Sequence, residues 1–166
     1  MNVDETLQKC ETMLDEYEKL SGISEFKPFD DSYVSKLFNM PIELLNKMTA
    51  MECAEAAYTL AQYSFYIQRL YNRESAKNKW ANNRINRAVC TEIQDYNNSY
   101  MKYEQKIELI AKENEVVQKL INIINYSSLV MERLNFLSTS IKNMCETISN
   151  LQKAKSYQHK ANNYEY

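Results

Sequence analysis

Arg69, Arg73, Lys77, Trp80, Arg84 and Arg87 follow one another at steps of four, four, three, four and three residues. On an α-helix that spacing stacks side chains along one face. At about 100° per residue the six fall within an arc of roughly 80°, and Tyr58, Gln62 and Tyr66 prolong it toward the N-terminus. Between Arg69 and Arg87, counting Lys79, there are six positive charges and one negative, Glu74, in a chain whose net charge is −2. The asymmetry points to an anionic partner. A row of cations can follow a phosphate backbone while Trp80 and the tyrosines receive unpaired bases, the combination that holds single-stranded nucleic acid without reading its sequence.

The same face has a plainer reading. Ala56, Leu60, Ile67, Tyr71, Ile85 and Val89 lie opposite the stripe, so the helix is amphipathic and needs a polar outer side in any case. That side is then solvated, or packs on a neighbouring subunit with Trp80 buried in the contact. Ordinary solvated faces mix signs, because Glu and Lys one turn apart support each other. This one is nearly all cationic.

Catalytic patterns are missing from the sequence. With a single glycine there is no Gly-rich phosphate loop; there is no HExxH, no paired-carboxylate motif and no Glu-x-x-His pair. Cys10, Cys53, Cys90 and Cys145 are scattered singly, so no zinc pattern is present and their expected role is small apolar filler in a reduced, cytoplasmic setting. His159, in the C-terminal tail, reads as a solvated side chain. The chain is therefore expected to be neither an enzyme nor a holder of any cofactor or metal. No apolar run approaches the ~18 residues of a membrane span, and a soluble protein is expected.

Positioning such a stripe requires long helices, and the composition favours them. The only breakers are Gly22, Pro28 and Pro41, so an all-α fold is predicted. A first helix is predicted from Val3 to Leu20, ended by Gly22. The loop region Ser21 to Pro41 contains a short helix from Asp31 to Asn39, and another runs from Ile42 to Lys47. Thr49 followed by Glu52 is a capping-box spacing that starts the basic helix. Asp95-Tyr-Asn-Asn-Ser is expected to break or bend its continuation.

Beyond residue 104 the pattern becomes a heptad. Leu109, Val116, Ile123, Val130, Leu137, Met144 and Leu151 are seven apart, and Leu120, Leu134, Ile141 and Ile148 fill the fourth positions, with Glu113 and Ser127 as the exceptions. This is a coiled-coil signal whose partner is an earlier helix or another subunit. Asn125-Tyr-Ser-Ser offers an alternative, a hairpin. The expected segments are thus an N-terminal helix and loop over 1–48, a basic helical core over 49–104, a heptad or hairpin region over 105–151 and a flexible tail over 152–166. Together they predict elongated helices in a self-associating bundle.

The run from Ala56 to Gln68, followed by Tyr71-Asn-Arg-Glu-Ser-Ala-Lys-Asn-Lys-Trp80, resembles the helical core of the UvsY recombination mediators of tailed phages. The resemblance covers about fifty residues, Ala54 to Tyr103, and is one of residue character more than identity. It implies a ring-shaped homo-oligomer that binds single-stranded DNA and helps a RecA-type recombinase replace single-strand-binding protein. The family's basic DNA-contact motif would fall on Lys77, Lys79, Arg84 and Arg87. The longer N-terminal segment and the extended heptad region depart from that family. The expected function is accordingly single-stranded DNA binding in recombination, through Tyr66, Arg69, Arg73, Lys77, Lys79, Trp80, Arg84 and Arg87. The competing expectation is a scaffolding protein of a virion or other assembly, whose basic stripe meets an acidic protein surface.

Overall fold

A computed structural model describes residues 2–22, 31–90 and 100–162. Among them all regular structure is helical: α1 (Val3–Leu20), α2 (Asp31–Phe38), α3 (Ile42–Lys47), α4 (Ala50–Val89), α5 (Tyr103–Glu113) and α6 (Glu115–Asn162). The expected break at 95–99 and most of the first loop lie outside the described residues.

The helix ends follow from local chemistry. At the start of α1 the Asn2 side chain accepts from the Glu5 amide; at its end Gly22 adopts φ +73°, a conformation that favours glycine. At the start of α4 the predicted capping box is formed. The Thr49 amide donates to Glu52 Oε2 at 2.6 Å, and the Glu52 amide donates to Thr49 Oγ1 at 3.2 Å. Those hydrogen bonds, with Lys155 adding a smaller pull, hold the Glu52 carboxyl below its ordinary range.

The chain divides into two compact units, residues 1–26 with 71–133 and residues 27–70 with 134–166. Helices α4 and α6 each contribute to both, so the sequence-based segments 49–104 and 105–151 do not coincide with them. In the first unit Ala81, Ile85 and Val89 of α4 share a cluster with Ile110 and Ala111 of α5, Val117 and Leu120 of α6, and Val3. In the second, Cys53, Ala56, Leu60 and Ile67 of α4 meet Ile141 and Ile148 of α6 and Val34 and Leu37 of α2.

Most of the heptad residues form the α6 side of these clusters; Leu109, on α5, and Val130 belong to neither. Leu120, Ile141 and Ile148 are fully buried, and Val116, Ile123, Leu134, Leu137, Met144 and Leu151 pack partly buried around them. Most of the seam thus packs within the units. The two exceptions also have physical reasons. Glu113 is the last residue of α5, where Asn114 leaves helical geometry and its Oδ1 accepts from the amides of Val116 and Val117 to start α6. Ser127 is buried but bonded: the Asn78 amide donates to its Oγ at 3.0 Å, and that hydroxyl donates to the Ile124 carbonyl. Asn125–Ser128 stays helical, so the hairpin alternative is corrected, because Asn78 also supplies the Ile124 carbonyl and Ser128 Oγ. The expected tail is helical too, up to Asn162, with Lys155 Nζ donating to the carbonyls of Asn46 and Met48. The side chain of His159 lies outside the described residues. Cys53 is buried filler as expected, whereas Cys90 is exposed.

Thr49→Ala is expected to cost about 1 kcal/mol of stability, the usual value of an N-cap, measured by chemical denaturation. The Glu52 carboxylate stabilises the fold above its ordinary pKa, and that contribution is lost as pH falls through its lowered native value. Glu52→Gln is expected to remove this part of the acid dependence of the melting temperature.

Candidate nucleic-acid interface

The basic stripe is real as a helix face, but its members fall into three groups. Tyr66 and Arg69 belong to the second unit. Tyr66 is half-buried against that unit's apolar cluster, with its ring 6.0 Å from that of Tyr63. It is therefore a packing residue, contrary to its expected role as an open face for a base. Arg73, Lys77, Lys79, Trp80, Arg84 and Arg87 lie together in the first unit.

Arg73 and Lys77 are already occupied. Arg73 Nη1 donates to Asp15 Oδ1 at 2.7 Å and to Glu18 Oε2 at 2.9 Å, and Lys77 Nζ lies 3.1 Å from Glu11 Oε1 and 3.0 Å from Glu74 Oε1. Glu11, Asp15 and Glu18 recur at i, i+4 and i+7, so α1 presents one acidic face to these two cations. Burial pulls the Arg73 guanidinium down, but hydrogen bonding to Asp15 and the charges of Glu18 and Asp15 leave it above its ordinary value. Lys77 is raised in the same way, burial being outweighed by hydrogen bonds and charge from Glu74 and Glu11. These two cations are half-buried clamps between α1 and α4, not an open track for phosphate. Glu74, the lone acid within the stripe, is itself largely buried, and its Oε2 has no hydrogen-bond partner among the described residues.

Toward the end of α4 the surroundings change. Between Ser75 and Cys90 there is no acidic residue. Trp80 is half-buried, one side packed on the cluster of Ala81, Ile85 and Val89. The Arg84 guanidinium sits 5.8 Å from its ring centroid, within cation–π range. Lys79 and Arg87 are exposed. The sequence left two roles open for Trp80, stacking platform or packing residue; the geometry gives it a partly buried place against the core and a cation beside its ring.

Comparison with known protein families, characterised proteins and solved structures finds no match for this chain. The site is therefore read from its own chemistry. No helix among the described residues is long and apolar enough to cross a membrane. The acidic face of α1 is what sequence reasoning missed. Its signal was available, since Glu11, Asp15 and Glu18 share a helical face, but nothing local says that this face meets α4 from 55 to 66 residues away.

The two kinds of cation are expected to behave differently on truncation. Arg73→Ala removes a cation from beside the largely buried Glu18 carboxylate and is expected to destabilise by about 1–3 kcal/mol. Arg87→Ala, at an exposed position, is expected to stay within about 0.5 kcal/mol of the parent. Urea denaturation of the two variants side by side checks this; equal effects would contradict the division.

Proposed function

We propose that this chain binds single-stranded DNA without sequence preference, through Trp80, Arg84 and Arg87 of the stripe with Lys79 to one side of it, and that it self-associates to multiply those contacts. The observation that carries the reading is the acid-free end of α4, where exposed Lys79 and Arg87 flank an indole that already holds a guanidinium. Cations supply sequence-independent affinity and an aromatic face adds stacking. A few cations on one protomer bind weakly, and repetition in an oligomer raises avidity. The further step, assisting a RecA-type recombinase against single-strand-binding protein, rests on the resemblance of Ala54 to Tyr103 to the phage mediators.

Most of the heptad seam packs within the units, so self-association is read from another surface. Met51, Tyr58 and Phe65, seven residues apart on the outer face of α4 in the second unit, are 65 to 71% exposed. Large apolar side chains left in water at heptad spacing suit a contact with another helix. The same observation favours the second reading, an assembly or scaffolding protein with no nucleic acid partner.

Titration with fluorescent oligothymidylate at several salt concentrations tests the choice. Affinity is expected to fall as salt rises, with a slope of about 0.7 per phosphate neutralised. Replacing Arg84 and Arg87 together by Ala is expected to flatten that slope and weaken every sequence alike. Trp80 emission is expected to be quenched on binding, and Trp80→Ala to cost about 1–3 kcal/mol of affinity together with about 2 kcal/mol of stability, since the ring is only half-buried. Absence of binding at low salt, with oligomers in solution that Phe65→Glu dissociates, would favour the scaffolding reading.

A further inference from the structure

We propose that α1 is a built-in competitor for nucleic acid, its acidic face occupying the cations that a phosphate backbone would otherwise take. This rests on the single-stranded DNA reading and adds its regulation. Arg73 and Lys77 are one helical turn apart, about 6 Å along the axis, and continue the row that runs through Trp80, Arg84 and Arg87. On that row Glu11 covers Lys77, and Asp15 and Glu18 cover Arg73, at 2.7 to 3.1 Å. The carboxylates stand where successive phosphates of a strand following α4 would stand, and they shorten the cationic track by two positions.

The way α1 is attached makes this cover exchangeable. Only two residues of the helix are buried, Val3 at its start and the ionic Glu18. Leu7, Cys10 and Leu14 are half-buried, while Met13, Tyr17 and Leu20 face solvent. Beyond its first turn the polar contacts described from the helix to other helices are ionic, with Lys119 and Asp4 adding a pair 3.2 Å apart near its start. Among the described residues Glu11, Asp15, Glu18 and Glu74 gather around Arg73 and Lys77. Replacing three α1 carboxylates by phosphates keeps both cations paired and frees those carboxylates for water. Because α1 is tethered, it competes at a high effective concentration. The consequence is a lowered apparent affinity until a strand long enough to reach Arg73 displaces it.

The test compares two full-chain double variants with the same change in charge. One is Asp15→Asn with Glu18→Gln, on the face toward α4; the other is Glu5→Gln with Glu16→Gln, at exposed positions of the same helix. With oligothymidylate as probe, the first is expected to bind about tenfold tighter than the parent, the factor for a competent form populated roughly one part in ten. The second is expected to gain only the small increment due to net charge. Hydrogen exchange on the unmodified chain provides a readout independent of any substitution: amides of residues 11 to 18 are expected to lose protection when oligothymidylate binds. If the parent binds and both double variants match each other, or the α1 amides keep their protection in the complex, the competitor role is overturned while DNA binding stands. If neither the parent nor either variant binds, the DNA reading falls and this inference with it.

Discussion

Helices of 40 and 48 residues cannot leave an apolar stripe in water along their whole length, and the burial of α4 against α6 inside each unit is the constraint that the other features answer to. In the first unit Asn78 of α4 meets residues 124–128 of α6 while Ala81, Ile85 and Val89 share a cluster with Val117 and Leu120. In the second unit the carbonyl of Ala57 accepts from Cys145 Sγ, and those of Asn46 and Met48 accept from Lys155. Within each unit, residue numbers rising along one helix meet numbers falling along the other, so the two run antiparallel. Once the inner faces are committed in this way, whatever α4 presents on its other side is fixed by helical periodicity. The basic row is a consequence of the core as much as a feature in its own right.

The places where the apolar pattern fails show how that constraint is met without strain. A serine in a core slot would leave a hydroxyl unsatisfied, and a buried unsatisfied polar group costs about 1–3 kcal/mol. Asn78 removes that cost at Ser127 and also caps the Ile124 carbonyl, so the polar pair fixes the register between α4 and α6 in the first unit. Two apolar residues at the same slots would pack as well but would tolerate sliding by a turn, whereas a donor matched to particular acceptors does not. Glu113 is handled differently. The helix ends there, and Asn114 restarts it with a side-chain cap.

Much of this was legible in the sequence because it is local. The limits of α1 and α3, the start of α4 and the apolar slots of α6 each depend on residues within a few turns of one another, and the structure places them where spacing and capping rules put them. Tyr66, Arg73 and Lys77 were not legible. A helical wheel shows that they share a side, but it does not show that the second cluster draws in Tyr66, or that α1 folds across Arg73 and Lys77. The hairpin alternative at Asn125–Ser128 failed for the same reason. Asn and Ser compete with the backbone when solvent is their only alternative, and here Asn78 supplies another. What sequence periodicity reports is which residues face one way; what covers them is a long-range fact.

Trp80 stands at the border between these two kinds of contact. Its ring packs against a cluster held by apolar burial, which is nearly non-directional and exchanges poorly, while the Arg84 guanidinium beside it belongs to a charged surface that salt and polar ligands can rearrange. An indole anchored in this way has less rotational freedom left to lose when something stacks on it, so each square ångström it offers is worth more than on a free side chain. The same anchoring limits how much ring it can offer and ties the shape of the basic surface to the integrity of the core beneath it. A change in the packing of Ile85 or Val89 is therefore transmitted to the surface through the angle of that one ring, without any charged residue being touched.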